Sequence, residues 1–309
     1  MRMARVLTAI LLLLTGCGAA SGTDSAVTTS GADSAAVITS GTDSAAGTVS
    51  GTATDSSTAT SGADLEIICF QAGKADAFLL LTPESAVLID CGEKGFGRTI
   101  LAELEARGIG QLDMMIITHF DKDHVGGAAR ILNNFPVARV LQSNSPKDSE
   151  EYEKYVKALK NAGMEPETVR ENLSFTLDGV AYTVNPPKRA NYNSDSSNNS
   201  SLIVSVENGA NRLLFTGDAQ DERIEEFVAL DWGTYDFLKV PYHGHWQESL
   251  MLLTGAVAPR YAVVTSSDDE PEDAETLELL ESFGAETFLT RNGNIRVTSD
   301  GVTLRVEYA

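Results

Sequence analysis

Apolar residues recur along most of the chain in short runs separated by polar turns, and this pattern predicts alternating strands and helices. Uncharged apolar runs predict buried strands, whereas the spacing of Ile100, Leu101 and Leu104 on one face predicts an amphipathic helix. Predicted strands cover residues 65–70, 77–81, 86–90, 112–118, 137–141, 174–177, 181–184, 202–206, 212–216, 237–240 and 261–265, and three short strands close the chain. Predicted helices cover residues 97–107, 126–133, 149–162, 221–229 and 272–283.

The order of these elements predicts an α/β fold. Strands come first in an antiparallel run, strands and helices then mix, and this half-pattern repeats. Two mixed sheets packed face to face, with helices on the outer faces, satisfy this order as an αββα sandwich. Polar residues at the strand ends would then meet along one edge of the sandwich, in loops held by a rigid scaffold.

The first residues have the pattern of a secretory signal. Arg2 and Arg5 precede a short apolar run, which is too short to cross a bilayer and ends in Leu-Thr-Gly before Cys17. This ending resembles a bacterial lipobox, and the resemblance implies that residues 1–16 are removed and that Cys17 is lipidated. The protein would then be anchored in the cell membrane, facing outside the cytoplasm. The alternative is an ordinary signal peptide with an incidental cysteine.

Residues 17–63 form a second region of distinct composition. A Ser-Gly-Thr/Ala-Asp-Ser-Ala unit starts at Ser21, Ser30 and Ser40 and then degenerates. Such small and polar residues cannot bury enough surface to offset their ordering entropy, so we expect a disordered tether. An O-glycosylated stalk is the alternative. The folded domain is therefore predicted over residues 64–309.

Charge and cysteine content narrow the function classes. The formal net charge of −21 argues against a broad nucleic-acid-binding face, because phosphate backbones are bound through Lys and Arg. It does not exclude a small phosphate ester held by metal ions.

Cys69 and Cys91 would lie on two strands with a third strand between them. This places them too far apart for a disulfide, so both are predicted to be buried free thiols. No obligate protein partner is inferred.

The chain contains four histidines, and all of them fall in two clusters that each follow a predicted buried strand. His119, Asp121, Asp123 and His124 occupy one six-residue segment. Burying carboxylates this close together is costly unless a cation compensates, and imidazole and carboxylate are ligands of divalent metals. The segment therefore predicts a metal site, with a solvated acidic turn as the alternative.

This segment resembles the HxHxDH signature of metallo-β-lactamase-fold hydrolases, with Asp121 in place of the middle histidine. The HxDxDH variant is similar to the metallo-β-lactamase domain of competence-type DNA-uptake channels (ComEC). Five further stretches resemble segments of that domain in the same order. They are residues 71–77 (Gly-Gln-Gly-Asp-Ala in the family), 88–92 (Ile-Asp-x-Gly), 198–202 (Asn-x-Ser-Leu), 214–219 (Thr-Gly-Asp) and 238–244 (Leu-Lys-Val-x-His-His-Gly).

The resemblance implies a metallo-β-lactamase fold and a site for two divalent metal ions. His119 and Asp121 would bind the first ion, Asp218 would bridge both, and three residues would bind the second. Those three are Asp123, which we also count as catalytic, His124 and His243. Asp90 would orient a ligand histidine from the second coordination shell. The ligand set leaves zinc and manganese both open.

Two departures from the family pattern concern the first ion and the substrate. The histidine that many family members carry before the Gly-Asp segment is missing, and Asn198 or Asn199 stands in its neighbourhood as a second-shell residue. Tyr242 replaces the first histidine of His-His-Gly and is predicted to contact substrate. His245 would donate a proton to the leaving group or contact substrate, unless it is a loop histidine without a role.

These residues predict a metal-dependent hydrolase that cleaves phosphodiester bonds, in nucleic acid or a nucleotide, with a hydroxide held by the metal ions as the nucleophile. The first alternative is a surface-tethered binding protein on a degenerate hydrolase fold, which the missing histidine and the long tether favour. The second is a β-lactamase proper, against which Asp121 and the missing histidine count.

Overall fold

The structure, a computed structural model, describes residues 62–309. The predicted signal peptide (1–16), Cys17 and nearly all of the predicted tether (17–63) lie outside the described residues, so those predictions stand as predictions. None of the helices in the described region is long and apolar enough to cross a membrane.

The described region contains strands and helices in a mixed order close to the predicted one. The strands are β1 (Leu65–Cys69), β2 (Phe78–Leu81), β3 (Ala86–Ile89), β4 (Met114–Ile117), β5 (Val140–Gln142), β6 (Glu167–Thr168), β7 (Leu173–Leu177), β8 (Val180–Asn185), β9 (Ile203–Asn208), β10 (Asn211–Phe215), β11 (Phe237–Lys239), β12 (Tyr261–Val264), β13 (Glu286–Leu289), β14 (Ile295–Ser299) and β15 (Leu304–Tyr308). The α-helices are α1 (Gly97–Ala106), α2 (Lys122–Val125), α3 (Ala128–Asn134), α4 (Glu150–Ala162), α5 (Asp221–Val228), α6 (Ser249–Val257) and α7 (Ala274–Ser282), and short 3-10 turns cover Asn198–Ser200, Pro241–Gly244 and Thr290–Asn292.

Two sheets carry the fold, and each follows the same plan. The first has the order β15-β14-β1-β2-β3-β4-β5-β6 and the second the order β13-β12-β11-β10-β9-β8-β7. In each sheet an antiparallel run passes into a parallel run, at β3–β4 in the first and at β10–β11 in the second. The predicted repeat of one half-pattern and the αββα sandwich are confirmed.

The apolar strands are buried on both faces, which explains why they read as continuous apolar runs rather than alternating ones. In β3, Val87 and Ile89 belong to the core between the sheets, whereas Leu88 belongs to a second core under the helices of the first sheet. In β10, Leu213 lies between the sheets and Leu214 lies in a third core under the helices of the second sheet. One central core and two outer cores therefore hold four layers together.

The two cysteines of the described region behave as predicted. Cys69 and Cys91 are buried free thiols, and β2 lies between β1, which ends at Cys69, and β3, which ends two residues before Cys91. Burial raises the pKa of both thiols, so they remain protonated and unreactive in the native protein.

Two helix predictions need correction. The helix predicted over 126–133 is observed as α3 (Ala128–Asn134) and begins two residues later, because Gly126 and Gly127 separate it from α2 (Lys122–Val125), a short helix that was not predicted. A Cβ on Gly127 would lie 2.2 Å from the carbonyl oxygen of Cys91, so the two segments approach too closely for any side chain. Helix α6 was not predicted, because its sequence is apolar on every side: Leu253 is buried while Leu252 is 47 % exposed.

Candidate metal centre

The chain brings its polar residues together at one edge of the sandwich. Asp90 follows β3 and His119 follows β4, and these two parallel strands end side by side in the first sheet. Asp218 follows β10 and His243 follows β11, which are parallel neighbours in the second sheet. Because carboxyl ends of parallel strands meet at one edge, loops distant in sequence converge on one place.

Four buried side chains form a compact group of donors. Asp123, His124, Asp218 and His243 each offer a ligand atom, and these atoms all lie within 4.8 Å of one another. Oδ2 of Asp218 lies 3.2 Å from Nε2 of His124 and 3.0 Å from Nε2 of His243. Oδ2 of Asp123 lies 3.5 Å from Nε2 of His243. Imidazole and carboxylate donors in this arrangement fit a divalent cation.

The other ring nitrogen of each histidine is already engaged. Nδ1 of His124 donates to the carboxylate of Asp90 at 2.8 Å, and Nδ1 of His243 donates to the backbone carbonyl of Thr265 at 3.0 Å. A proton on Nδ1 leaves the lone pair of Nε2 free for a metal ion in the neutral ring. Asp90 therefore occupies the orienting position that the family resemblance implies, and Thr265 plays the corresponding part for His243.

Several buried atoms of the site lack hydrogen bonds. Nε2 of His119, His124 and His243 and Oδ1 of Asp218 are buried, and none has a hydrogen-bond partner within residues 62–309. Leaving buried polar atoms unpaired costs free energy, roughly 1–3 kcal/mol each. The residues present therefore fit bound cations: one ion would satisfy Nε2 of His124 and of His243, and an ion beside it would satisfy Nε2 of His119.

His119 and Asp121, the ligands predicted for a first ion, lie at the side of the four-donor group and are not members of it. The His119 ring centroid is 4.0 Å from that of His124, and its Nε2 is 3.8 Å from Oδ1 of Asp121. The same oxygen of Asp121 is 2.5 Å from Nζ of Lys147 and accepts from the hydroxyl of Ser197. The position at His119 and Asp121 therefore offers one free imidazole nitrogen and one carboxylate whose charge a lysine already neutralises.

Charge pairing sets the protonation of the metal-free site. Burial lowers the pKa of His124, but the negative charges of Asp218 and Asp90 outweigh it and raise that pKa well above 6.5. For His243, too, burial lowers the pKa, and the charge of Asp218 raises it above 6.5 on balance. The pKa of His119 is lowered, chiefly by burial and then by the positive charge of His124.

The backbone is strained at three residues in the loops of the site. Asp90, Tyr242 and His243 have φ values of 57°, 49° and 54°, in the left-handed region that L-residues seldom adopt. Each such residue costs of order 1–3 kcal/mol and persists only where the surrounding structure enforces it. Strain at one orienting carboxylate and one donor histidine is typical of a functional site.

Comparison with known proteins agrees with this geometry. A family model described as the metallo-beta-lactamase superfamily matches residues 71–265. The chain belongs to this superfamily. The matched segment contains all four members of the donor group as well as His119 and Asp121.

The match to each curated relative covers only part of that relative's length. Recombination protein 2 of Haemophilus influenzae is 26 % identical over 204 residues, which is 64 % of this chain and 24 % of that protein. ComE operon protein 3 of Bacillus subtilis is 27 % identical over 208 residues, which is 64 % of this chain and 26 % of that protein. The chain thus spans about a quarter of the length of these curated relatives.

A solved structure shows the same superfamily fold. The metallo-beta-lactamase fold protein YhfI from Bacillus subtilis has a TM-score of 0.51 at 11 % identity, covering 72 % of this chain and 96 % of that one. At this identity the likeness concerns the fold alone.

Sequence reasoning missed a buried ion pair at the centre of the site. Nζ of Lys239 lies 2.6 Å from Oδ2 of Asp76 and 3.5 Å from Oδ1 of Asp218, and it donates to the carbonyl of Gly217. The other oxygen of Asp76 accepts from the hydroxyl of Thr265. The signal was present, because a lysine inside an apolar strand run is seldom buried without a charged partner.

Asn198 and Asn199, predicted as second-shell residues, make no side-chain hydrogen bond to the four-donor group in the described part of the chain. The side-chain oxygen of Asn199 accepts from the backbone N–H groups of Gln220 and Arg223, so it satisfies the free donors at the start of α5. Asn198 is buried in the same 3-10 turn. The residue that approaches the donors is Ser201, whose hydroxyl is 3.3 Å from Nδ1 of His119 and accepts from the N–H of Asp218.

Tyr242 and His245 lie at the exposed side of the second cluster. Their ring centroids are 5.1 Å apart, and Nζ of Lys74 lies 5.9 Å from the centre of the Tyr242 ring. Nδ1 of His245 is 3.6 Å from a carboxylate oxygen of Asp273. Both side chains are partly accessible, so a bound substrate would be able to reach them.

Proposed function

We propose that this chain is a metal-dependent hydrolase that cleaves phosphodiester bonds. The observation that carries the proposal is the convergence of ligand atoms from four buried side chains, Asp123, His124, Asp218 and His243, brought together from separate loops. Nε2 of His124, Nε2 of His243 and Oδ1 of Asp218 have no hydrogen-bond partner within residues 62–309. Membership of the metallo-beta-lactamase superfamily supports hydrolysis as the reaction class. When bound, divalent cations would lower the pKa of a water molecule and offset charge on the ester oxygen under attack.

The side chains themselves would hold and orient the reacting groups. Asp90 and Thr265 fix the ring orientations of His124 and His243. Asp218 lies between both rings. His245, at the accessible side of the site, would donate a proton to the leaving oxygen.

The phosphodiester substrate is inferred from the relatives. One of them is named recombination protein 2, and recombination acts on nucleic acid. A phosphodiester oxygen is also the hard, negatively charged ligand that an oxygen-rich metal site accommodates. The proposal therefore names nucleic acid or a nucleotide as the substrate class.

We further propose two cation positions of unequal strength. The four-donor group would hold the tighter ion, and His119 with Asp121 would hold a weaker one, because Lys147 already neutralises Asp121. Zinc and manganese both match these donors. Titration of metal-stripped protein with each metal, followed by metal analysis, should give two distinguishable binding steps.

The activity test is a comparison of the purified protein with Asp218→Asn, which keeps the size of the side chain. We expect manganese or zinc to support hydrolysis of bis-p-nitrophenyl phosphate and of an oligonucleotide, and we expect the variant to lose at least ~100-fold, as losses of ~2.7 kcal/mol or more do. Equal rates for both proteins across these metals and substrates would overturn the proposal.

A second candidate function, binding of a ligand without turnover, is favoured by the contact between Lys147 and Asp121. Lys147 and Ser197 contact the carboxylate of Asp121, and in a protein that only binds its ligand the metal position at His119 and Asp121 would be a remnant. Such a binder would hold one ion per chain at saturation and show no turnover. A loaded hydrolase would approach two ions per chain, so metal content and turnover together separate the two functions.

The membrane anchor is also a proposal. We propose that Cys17 carries lipid and holds the domain outside the cytoplasm, on the support of the basic start, the short apolar run and the Leu-Thr-Gly-Cys ending. Expression in bacteria with radiolabelled palmitate should label the protein, and Cys17→Ser should abolish the label. Equal labelling of both would show that the cysteine is not the lipid attachment site.

A further inference from the structure

A cleft between the helices of the first sheet differs in charge from the rest of the protein. It has a volume of about 760 Å³, and five basic side chains line it: Lys94, Arg98, Arg130, Lys154 and Lys157. None of its lining residues in the described region is Asp or Glu. In a chain with 44 acidic and 23 basic residues, this separation of charge marks a local site for an anion.

Three of these cations are available to a ligand. Arg98 on α1, Arg130 on α3 and Lys157 on α4 have no acidic partner within 4.0 Å in residues 62–309. Glu150 contacts the remaining two, at 3.8 Å from Lys94 and in direct contact with Lys154. The cleft therefore keeps a net positive charge that comes from three separate helices.

The cleft reaches the end of the helix that carries two of the metal donors. Gly126 lines it, and this residue directly follows α2, the helix that carries Asp123 and His124. Helix α2 has four residues and is about 6 Å long at the usual rise per residue. A ligand that fills the cleft would thus come within a few nucleotides' length of the donors.

We propose that this basic cleft binds the sugar-phosphate backbone of a single-stranded nucleic acid whose scissile bond lies at the metal centre. The inference rests on the proposed phosphodiester hydrolysis and extends it from small esters to a polymer. A concave site with cations on facing walls suits a chain that enters it, whereas an anionic membrane surface would be met by a flat or convex face. The overall negative charge of the chain disfavours such binding on the rest of the surface.

Binding can be measured without turnover. Fluorescence anisotropy with a labelled oligothymidylate, in chelator and over a series of salt concentrations, would compare the purified protein with R98E/R130E/K157E. Each phosphate contact contributes about 0.7 to the slope of log affinity against log salt for single strands. We expect the variant to bind at least ~10-fold more weakly, with a slope reduced by roughly two.

A matched control has the same change in net charge. Arg170, Lys188 and Arg305 are exposed, have no acidic partner within 4.0 Å in the described part of the chain, and do not line the cleft. R170E/K188E/R305E should leave the salt slope unchanged and weaken binding far less. Equal losses in both triple variants would reduce the effect to overall charge and overturn the cleft assignment. Binding of phosphatidylglycerol vesicles with no binding of the oligonucleotide would overturn it as well.

Rates of hydrolysis with a small and a polymeric substrate distinguish a failure of this inference from a failure of the proposed function. Bis-p-nitrophenyl phosphate is too small to use the cleft, so R98E/R130E/K157E should hydrolyse it at the unaltered rate and cleave the oligonucleotide with a raised KM. Cleft-dependent binding without hydrolysis of either substrate would refute the proposed function and leave the cleft assignment standing. Unchanged oligonucleotide KM in the variant would contradict the assignment.

Discussion

Lys239 and Asp76 form an ion pair at 2.6 Å in which both side chains are buried. Burial lowers the pKa of Lys239, but the charges of Asp76 and Asp218 outweigh this effect and raise it, so the ammonium stays charged. The pair connects the β11 strand to the loop before β2, and through Thr265 it reaches the histidine at the end of β11. The ion pair is therefore a fixed cation within the acidic site.

Removing this cation should destabilise the fold. Lys239→Met keeps a similar length but leaves the carboxylate of Asp76 buried without a partner, a change that typically costs about 3–5 kcal/mol. We expect that loss in the free energy of unfolding, measured by urea denaturation of the metal-free protein. The double variant Lys239→Met with Asp76→Asn should recover part of it, since no charge is then left unpaired. Additive losses would show that the two groups do not interact.

Asp90 offers a test of the orienting contacts. Asp90→Asn cannot accept the Nδ1 proton of His124 with a charged oxygen, and it also weakens two bonds from Thr118. Loss of such a contact typically lowers metal affinity by about 10–100-fold. Competition titration against a chelator measures it. Asp64→Asn, on an exposed residue, is the control and should bind metal as the parent does.

Whether the sequence predicts a residue of the site depends on where that residue lies in the chain. His119, Asp123 and His124 occupy one short segment after an apolar run, and local spacing was sufficient to predict a metal site there. Asp76 and Lys239 are far apart in sequence and meet only because β2 begins, and β11 ends, at the same edge of the sandwich. No local pattern reports such a meeting.

The same distinction applies to the fold. Strands buried on both faces, such as β3, were predictable because each is a short apolar run with a turn on either side. Helix α6 was not, because apolar residues on all sides conceal the helical period. Asn199 was assigned to the metal site by its neighbourhood in sequence, whereas its amide completes the first turn of α5. Capping of a helix by a distant residue leaves no local signal.

Metal affinity should depend on pH in a defined direction. Aspartate charges raise the pKa of His124 and His243 above 6.5 in the metal-free protein, so a proton competes with the metal ion at each Nε2 up to pH values above 6.5. Affinity should therefore increase as pH rises through and beyond 6.5, and should level off once both rings are neutral. Titrations with manganese between mildly acidic and mildly basic pH, with circular dichroism to verify folding, measure this. Constant affinity across the range would contradict the proton competition.

The approach of α3 to the strand-end turn at Cys91 gives a prediction about the scaffold. A Cβ at position 127 would lie 2.2 Å from the Cys91 carbonyl oxygen and 2.9 Å from the Gly97 backbone nitrogen, and neither backbone atom can move independently. Gly127→Ala should lower the free energy of unfolding by about 1–3 kcal/mol, the usual cost of overpacking. The same shift would displace α2 from the Asp90 side, so metal affinity should fall as well. Gly110→Ala is the matched control, because nothing lies within 4 Å of a Cβ there. Its stability and metal affinity should equal those of the parent, and equal behaviour of both alanine variants would show that the close approach at Gly127 does not constrain the site.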